Sequence, residues 1–367
     1  MAKKEENKND KVAAALSLIR KKFGEESVMT FDDTSIRKVD TIPSGSLKLD
    51  KALGFGWPRG RCSVVWGSYS SGKSTLCLHA CANAQKMGLT VMYADMEHAF
   101  DPVYAESVGV DTKNLIFTQP DDGVECLSIL KDVIIQGLAD LIILDSMAAC
   151  LTKSELESDV NASNIGSQAK MFSLWFKQII PSLEKNNIAL ICTNQARQKP
   201  GVMYGSPDVQ PCGNAASFYA TIMCKTSKLM SAKETDSSGD IVANTIKVHV
   251  EKNKLAPPFR TAELMVYYGK GLSVKNEIFD MAVEFGIVEK SGAWFSYKGE
   301  KIGQGAVKAK AWIDEHPDVK DEITKQVEEI LMNPNEQKAA ATNQLEEVVN
   351  EDGSVSTIDP NTGEVFE

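Results

Sequence analysis

No apolar run in this chain approaches the roughly 20 residues needed to cross a bilayer. The first ten residues, Met1 to Asp10, are polar and charged, which argues against a secretory signal. None of the eight cysteines forms a Cys-x-x-Cys pair, and of the four histidines only His79 lies close to any of them. That spacing excludes the common zinc frameworks. Cysteines scattered through apolar runs read instead as small buried hydrophobes in a reducing compartment. A cytoplasmic protein with no membrane partner is the expectation. Lysine and arginine are missing after Lys338, where Glu346, Glu347, Glu351, Asp352, Asp359, Glu364 and Glu367 follow. The formal net charge of −10 counts against a nucleic-acid partner only as an average, because binding follows local charge distribution. The segment 334–367, acidic and poor in aromatics, is expected to be a disordered tail.

What the chain does contain is a full G-x-x-x-x-G-K-S loop, Gly67-Ser68-Tyr69-Ser70-Ser71-Gly72-Lys73-Ser74. The apolar run Cys62 to Trp66 precedes it, and Thr75-Leu76-Cys77-Leu78 opens a helical pattern after it. Strand, glycine loop, helix is the context a phosphate-binding loop requires. Its backbone N–H groups turn inward around a polyphosphate, and the helix N-terminus adds positive potential. Lys73 is the candidate for the β- and γ-phosphates, and the Ser74 hydroxyl for Mg²⁺.

Residues 11–23 carry Val12, Leu16, Ile19 and Phe23 at helical spacing, with Gly24 as C-cap. That apolar stripe needs cover, either from its own core or from a neighbouring subunit. From Ile42 to about Gly271, strand candidates at 62–66, 90–94, 114–118, 140–145 and 188–193 alternate with helices. This is an α/β pattern with a mostly parallel sheet covered on both faces. The runs 245–250 and 262–268 alternate more strongly and predict an antiparallel extension. Residues 272–333 read as a small separate module of short helices around the loop 292–305.

Ligands of an open parallel sheet sit beyond the carboxyl ends of its strands. Asp145, closing the run Leu141 to Leu144, is the expected acidic residue that orients Mg²⁺ through water. Glu97 or Asp95, after the next strand, is the candidate to orient or deprotonate the attacking water. Gln195, ending Thr193-Asn194-Gln195, can sense a γ-phosphate by hydrogen bonding. The segments 156–166 and 196–213 lack periodicity, and loops of that length are usually functional or disordered. Two such loops beside one nucleotide site suggest a second ligand gated by ATP. The guanine-reading Asn-Lys-x-Asp motif is taken as absent, so adenine is the expected base.

Taken in order, several segments resemble the bacterial RecA-type recombinases over about residues 11–333. They are Thr41 to Asp50, the phosphate loop, Glu97-His98-Ala99-Phe100-Asp101-Pro102, Leu144-Asp145-Ser146, Asn194-Gln195-Ala196-Arg197, Lys252-Asn253-Lys254, and Gly292-Ala293-Trp294 through Gly305. The resemblance implies a RecA-like P-loop ATPase core at 36–271 with a mostly parallel central sheet. It adds an N-terminal helical oligomerisation arm at 1–35 and a small α/β C-terminal domain at 272–333. The implied protein is a DNA-dependent ATPase that uses ATP and Mg²⁺ and forms a helical homo-polymer on single-stranded DNA. It pairs that strand with homologous duplex DNA, and repressor or mediator proteins are further partners. The resemblance makes Glu97 the catalytic carboxylate and Gln195 the γ-phosphate sensor. It places nucleotide contacts on Gly67 through Thr75, Asp101, Tyr104 and Asp145, with Lys252 and Lys254 reaching ATP from the adjacent subunit. DNA contacts fall on Ile165, Lys170, Lys177, Arg197, Lys199, Pro200, Met203, Gly213 and Asn214.

The chain departs from the family pattern in several places. Lysines stand at 170 and 177 where arginines are usual, which removes bidentate phosphate contacts. Pro200 takes the place of an aliphatic wedge between base triplets. Pro211-Cys212-Gly213 replaces Thr-Gly-Gly, and Ser217 and Met223 replace a lysine and an arginine of the subunit interface. Two alternatives share the ATP site: a RecA-fold hexameric helicase that closes into a ring, and an ATP-switched DNA-binding scaffold whose turnover DNA does not raise. No arginine finger stands at a clear strand end, and Lys252 and Lys254 favour the filament.

Overall fold

A computed structural model describes residues 2–24, 27–28, 39–158, 166–198, 208–213, 215–235, 238–273 and 277–332, with the short segments 346–349, 355–358 and 365–366. It divides into two compact units, Met1–Asp40 and Thr41–Glu367. In the first, helix α1 (Ala2–Phe23) carries Arg20, Lys21 and Lys22 in its last turn, where they oppose the helix dipole. Gly24, at φ +104°, closes it by donating to the Arg20 carbonyl. Its stripe residues Val12, Ile19 and Phe23 are exposed.

The second unit is built on a nine-stranded sheet. In chain order its strands are β1 (Cys62–Gly67), β2 (Val91–Asp95), β3 (Ile116–Thr118), β4 (Leu141–Asp145), β5 (Ala189–Gln195), β6 (Ile222–Thr235), β7 (Ile241–Asn253), β8 (Thr261–Tyr267) and β9 (Gly271–Leu272). Their spatial order is β9-β8-β7-β6-β1-β5-β4-β2-β3. The stretch from β6 to β3 is parallel, and β7, β8 and β9 add antiparallel pairing, as the two sequence patterns predict. The strand β6 was not foreseen. Its polar half, Lys225-Thr226-Ser227-Lys228, has no apolar run to betray it.

Strand alternation divides the core in two. Val65, Tyr93, Ile143 and Ile191 face the helix α2 (Lys73–Lys86) and pack with its Leu76, Cys77 and Cys81. Val64, Met92, Ile142 and Leu190 point the other way. They pack against α3 (Gly123–Gln136) and α4 (Ser167–Lys185), where Phe172, Trp175 and Phe176 lie. All eight cysteines are buried and unbridged. No helix among the described residues is long and apolar enough to cross a membrane.

The segment 292–305, read above as a loop, is corrected by the structure. Glu289–Ser291, Trp294–Tyr297 and Glu300–Gln304 pair as an antiparallel meander, with Phe295 and Tyr297 turned inward onto Phe279 and Ile302. The module has its own core and is nonetheless seated on the helix Leu47–Leu53. Ser46 Oγ donates to Glu277 Oε1 at 2.8 Å, and Lys48 Nζ pairs with Asp280 at 2.9 Å. In the tail, expected to lack regular structure, Glu346–Val349, Val355–Ile358 and Val365–Phe366 pair antiparallel. Their β-branched residues suit strands in spite of the surrounding acid.

The seam between this module and Leu47–Leu53 holds two carboxyls, the half-buried Asp50 and the buried Glu277. Burial pushes the Asp50 carboxyl from 3.8 up to about 7, against the hydrogen bonds from Ser44, with the Glu277 charge adding to the rise. The folded chain thus keeps a proton that the unfolded chain releases, so stability should fall as pH rises from about 4 to about 7. Urea unfolding across that range should lose on the order of 2–4 kcal/mol, and Asp50→Asn should flatten the decline.

Candidate nucleotide site

The phosphate loop leaves β1 where no side chain fits. A Cβ on Gly67 would lie 2.2 Å from the Thr226 carbonyl oxygen, so β6 passes against bare backbone. Ser71 is spent on shape: its Oγ donates to the Ser68 carbonyl at 2.7 Å and meets Thr226 Oγ1 at 2.6 Å. Gly72, at φ +87°, caps α2 with no side-chain bond, which leaves the first N–H groups of that helix free of a cap. Lys73 is buried, and its Nζ donates to the carbonyls of Ser68 at 2.8 Å and Gly67 at 3.3 Å. Burial lowers its pKa, while Glu97 and Asp145 oppose that shift. Ser74 stands exposed in the first turn of the helix, and Tyr69 is exposed with Lys228 Nζ 5.4 Å from its ring centroid.

The strand ends β4, β2 and β5 bring the other candidates together. Asp95 and Glu97, left open by spacing, take different parts. Asp95 is buried and accepts N–H bonds from Glu97, Ala99 and Phe100 and one from Gln119 Nε2, so it shapes the loop. Glu97 is exposed, and its Oε1 receives Ser146 Oγ at 2.5 Å and Gln195 Nε2 at 2.7 Å. Asp145 is buried between hydroxyls, with Thr193 Oγ1 on Oδ1 at 2.5 Å and the Tyr93 hydroxyl on Oδ2 at 2.6 Å. Burial holds the Tyr93 phenol well above its ordinary pKa, so it remains a donor.

Beside the loop lies a cavity of ≈ 550 Å³ lined by Ser70, Thr75, Asp101, Tyr104, Asn244 and Tyr267, among others. Asp101 caps the helix Pro102–Val108 by accepting from Val103 and Tyr104 N–H, and the Tyr104 hydroxyl meets Thr75 Oγ1 at 2.9 Å. The buried Asn244 Oδ1 has no hydrogen-bond partner among the described residues. Sequence reasoning gave no role to Asn244, Tyr267, Ser146, Tyr93 and Thr193: Ser146 and Thr193 stand in quoted segments beside Asp145 and Gln195, and the other three lie within strands. The Asn-Lys-x-Asp string taken above as absent does occur, at Asn7 to Asp10, but it lies inside α1 and not after a strand, so it forms no base-reading loop.

Lys252 and Lys254 lie at the opposite end of the sheet. Lys252 pairs with Met223, and Met223 with Val64, near the start of β1, whereas the phosphate loop begins at its end. The offset is roughly 10 Å along the strand at 3.3 Å per residue. Lys252 Nζ instead donates to the Ser217 carbonyl at 2.5 Å, and burial lowers its pKa, helped by Lys254.

Lys170 and Lys177 are exposed two turns apart on α4 and share a face. Gly213 adjoins the start of that helix, since a Cβ on it would lie 2.8 Å from Ala169 Cβ. Arg197 is exposed in a two-residue ladder, Arg197–Gln198 against Asp208–Val209, within a segment that had shown no periodicity. Cys212 takes φ +66°, a conformation glycine adopts without strain. Ile165, Lys199, Pro200, Met203 and Asn214 lie outside the described residues. Phe218 is 70% exposed, but Met223 is buried among the residues facing α3 and α4, so it packs and makes no surface contact.

The RecA N-terminal domain family matches residues 10–273, and the RecA C-terminal domain family matches 276–332. Protein RecA of Lactobacillus delbrueckii subsp. bulgaricus is 43% identical over 334 residues, which are 91% of this chain and 99% of that protein. Protein RecA of Listeria ivanovii is 42% identical over 325 residues, 88% of this chain and 92% of its own length. A RadB recombinase crystal structure superposes with a TM-score of 0.49 at 20% identity, covering 63% of this chain and 98% of that one.

The two carboxylates separate in a stability measurement. Asp95→Ala, which strands several donors, should lower the unfolding free energy in urea by about 2–4 kcal/mol, and Glu97→Ala by less than about 1 kcal/mol.

Proposed function

The chain belongs to the RecA family and is an ATP-dependent DNA recombinase, and we propose that ATP bound at the carboxyl edge of its sheet switches its grip on single-stranded DNA. The observation that carries this reading is the 2.7 Å bond from Gln195 to Glu97, at the point where β5 runs into segment 196–213. Glu97 orients the attacking water and accepts its proton, while Gln195 and Ser146 hold the carboxylate in place. A γ-phosphate competes with Glu97 for the Gln195 amide and so pulls on the start of that segment. Lys73 turns from the loop carbonyls to the β- and γ-phosphates. Ser74 and, through water, Asp145 would hold Mg²⁺, which neutralises phosphate charge when bound. Asp101, Tyr104, Asn244 and Tyr267 form the base pocket.

Because Lys252 and Lys254 face away from their own phosphate loop, they serve the ATP of the next subunit. The exposed stripe of α1 supports a second intersubunit contact, with the arm laid on a neighbour. A head-to-tail interface that does not close gives a helical filament. Lys170, Lys177, Arg197 and Lys199 then contact DNA phosphates, in the cytoplasm, with homologous duplex DNA as the second partner and repressor or mediator proteins as further ones.

Subunit mixing tests the arrangement. Glu97→Gln and the double variant Lys252→Ala/Lys254→Ala should each release phosphate on single-stranded DNA at least about a hundredfold more slowly than the parent. An equal mixture should regain roughly a quarter of the parental rate, since random head-to-tail assembly leaves that share of interfaces intact. A mixture as inactive as its parts, or rings in place of filaments by electron microscopy, would contradict the reading.

A further inference from the structure

The Asp145 carboxylate has a hydroxyl on each oxygen, and the sheet register explains why. Asp145 closes β4; Ile143 pairs with Ile191 on one side, which sets Asp145 level with Thr193 on β5. On the other side Ile143 pairs with Tyr93 on β2, so the longer Tyr93 side chain reaches Asp145 from one pleat back. Packing alone does not call for either hydroxyl. The Tyr93 ring meets Phe100 edge-on at 5.0 Å and lies among Cys77, Cys81 and Ile143, where a phenylalanine would pack as well. Thr193 is fully buried and level with Val65 on β1, and valine would fill the same space without the hydroxyl. A hydroxyl in such surroundings costs free energy unless it is bonded, and for both the bonded partner is Asp145.

We propose that Tyr93 and Thr193 are positioning residues that clamp the Asp145 carboxylate in one orientation and so set the affinity of the nucleotide site for Mg²⁺. The inference rests on the reading of Asp145 as the carboxylate that holds Mg²⁺ through water. An aspartate turns freely about its last torsion, which is broad and two-fold. Two donors from opposite sides fix that torsion in advance, and each oxygen keeps lone-pair capacity for a metal-bound water.

The test is an equilibrium binding measurement on the full chain without turnover. A fluorescent ATP analogue is titrated with Mg²⁺, and its affinity without Mg²⁺ is measured separately. Tyr93→Phe and Thr193→Val should each raise the half-saturating Mg²⁺ concentration by about three- to tenfold. Their combination should raise it by less than the product, because both act on one carboxylate. Thr193→Ser, which keeps the hydroxyl, should match the parent, and metal-free nucleotide affinity should stay within about twofold throughout. An unchanged Mg²⁺ midpoint in both Tyr93→Phe and Thr193→Val overturns the inference. So does a parallel loss of metal-free affinity, which is what a merely structural role would give. Should Asp145→Asn also leave the midpoint unchanged, the fault lies in the assignment of Asp145 itself.

Discussion

The bond between the Gln195 amide and the Glu97 carboxylate is the contact on which the account depends. It joins the group suited to activate water to the residue that opens segment 196–213. Neither side chain is buried, so neither is committed to packing. The residues around them are committed. Asp95 fixes the loop that presents Glu97, and Asn194, buried one residue before Gln195, accepts the Gln195 N–H and donates to the Pro211 carbonyl. Rigid neighbours around one exchangeable side-chain bond is the arrangement a switch needs, because a γ-phosphate can take the Gln195 amide from Glu97 without disturbing the buried residues beside it.

The sheet gives that switch its direction. Parallel strands gather Gly67, Asp95, Asp145 and Gln195 at one edge, while the antiparallel return of β7 carries Lys252 and Lys254 to the other. On the proposed reading, a subunit with its nucleotide site at one end and these lysines at the opposite end would complete each site by stacking head to tail on a neighbour, and nucleotide state would then couple to the geometry of the polymer.

Much of this was legible in the sequence because backbone chemistry restricts the choices. The phosphate loop needs Gly67 and Gly72 for close approach and positive φ, and parallel strands need unbroken apolar runs such as Leu141 to Leu144. Strand β6 escaped because its residues beside the loop are polar, and the meander at 289–304 escaped because its short strands are punctuated by glycine. Spacing could not separate Asp95 from Glu97: both follow the same strand, and only their hydrogen-bond partners tell them apart. Tyr93 and Thr193 were invisible for a related reason. Each sits inside an apolar run, and its hydroxyl has meaning only through the register that places it beside Asp145.

Single-stranded DNA affinity at fixed salt, measured with a non-hydrolysable ATP analogue and with ADP, for the parent and for Gln195→Ala, tests the central claim most directly. The account predicts that the parent binds at least about tenfold more tightly with the ATP analogue, and that Gln195→Ala shows nearly equal affinity in both states. A Gln195→Ala variant that keeps the full parental ratio, or a parent that shows none, would contradict it.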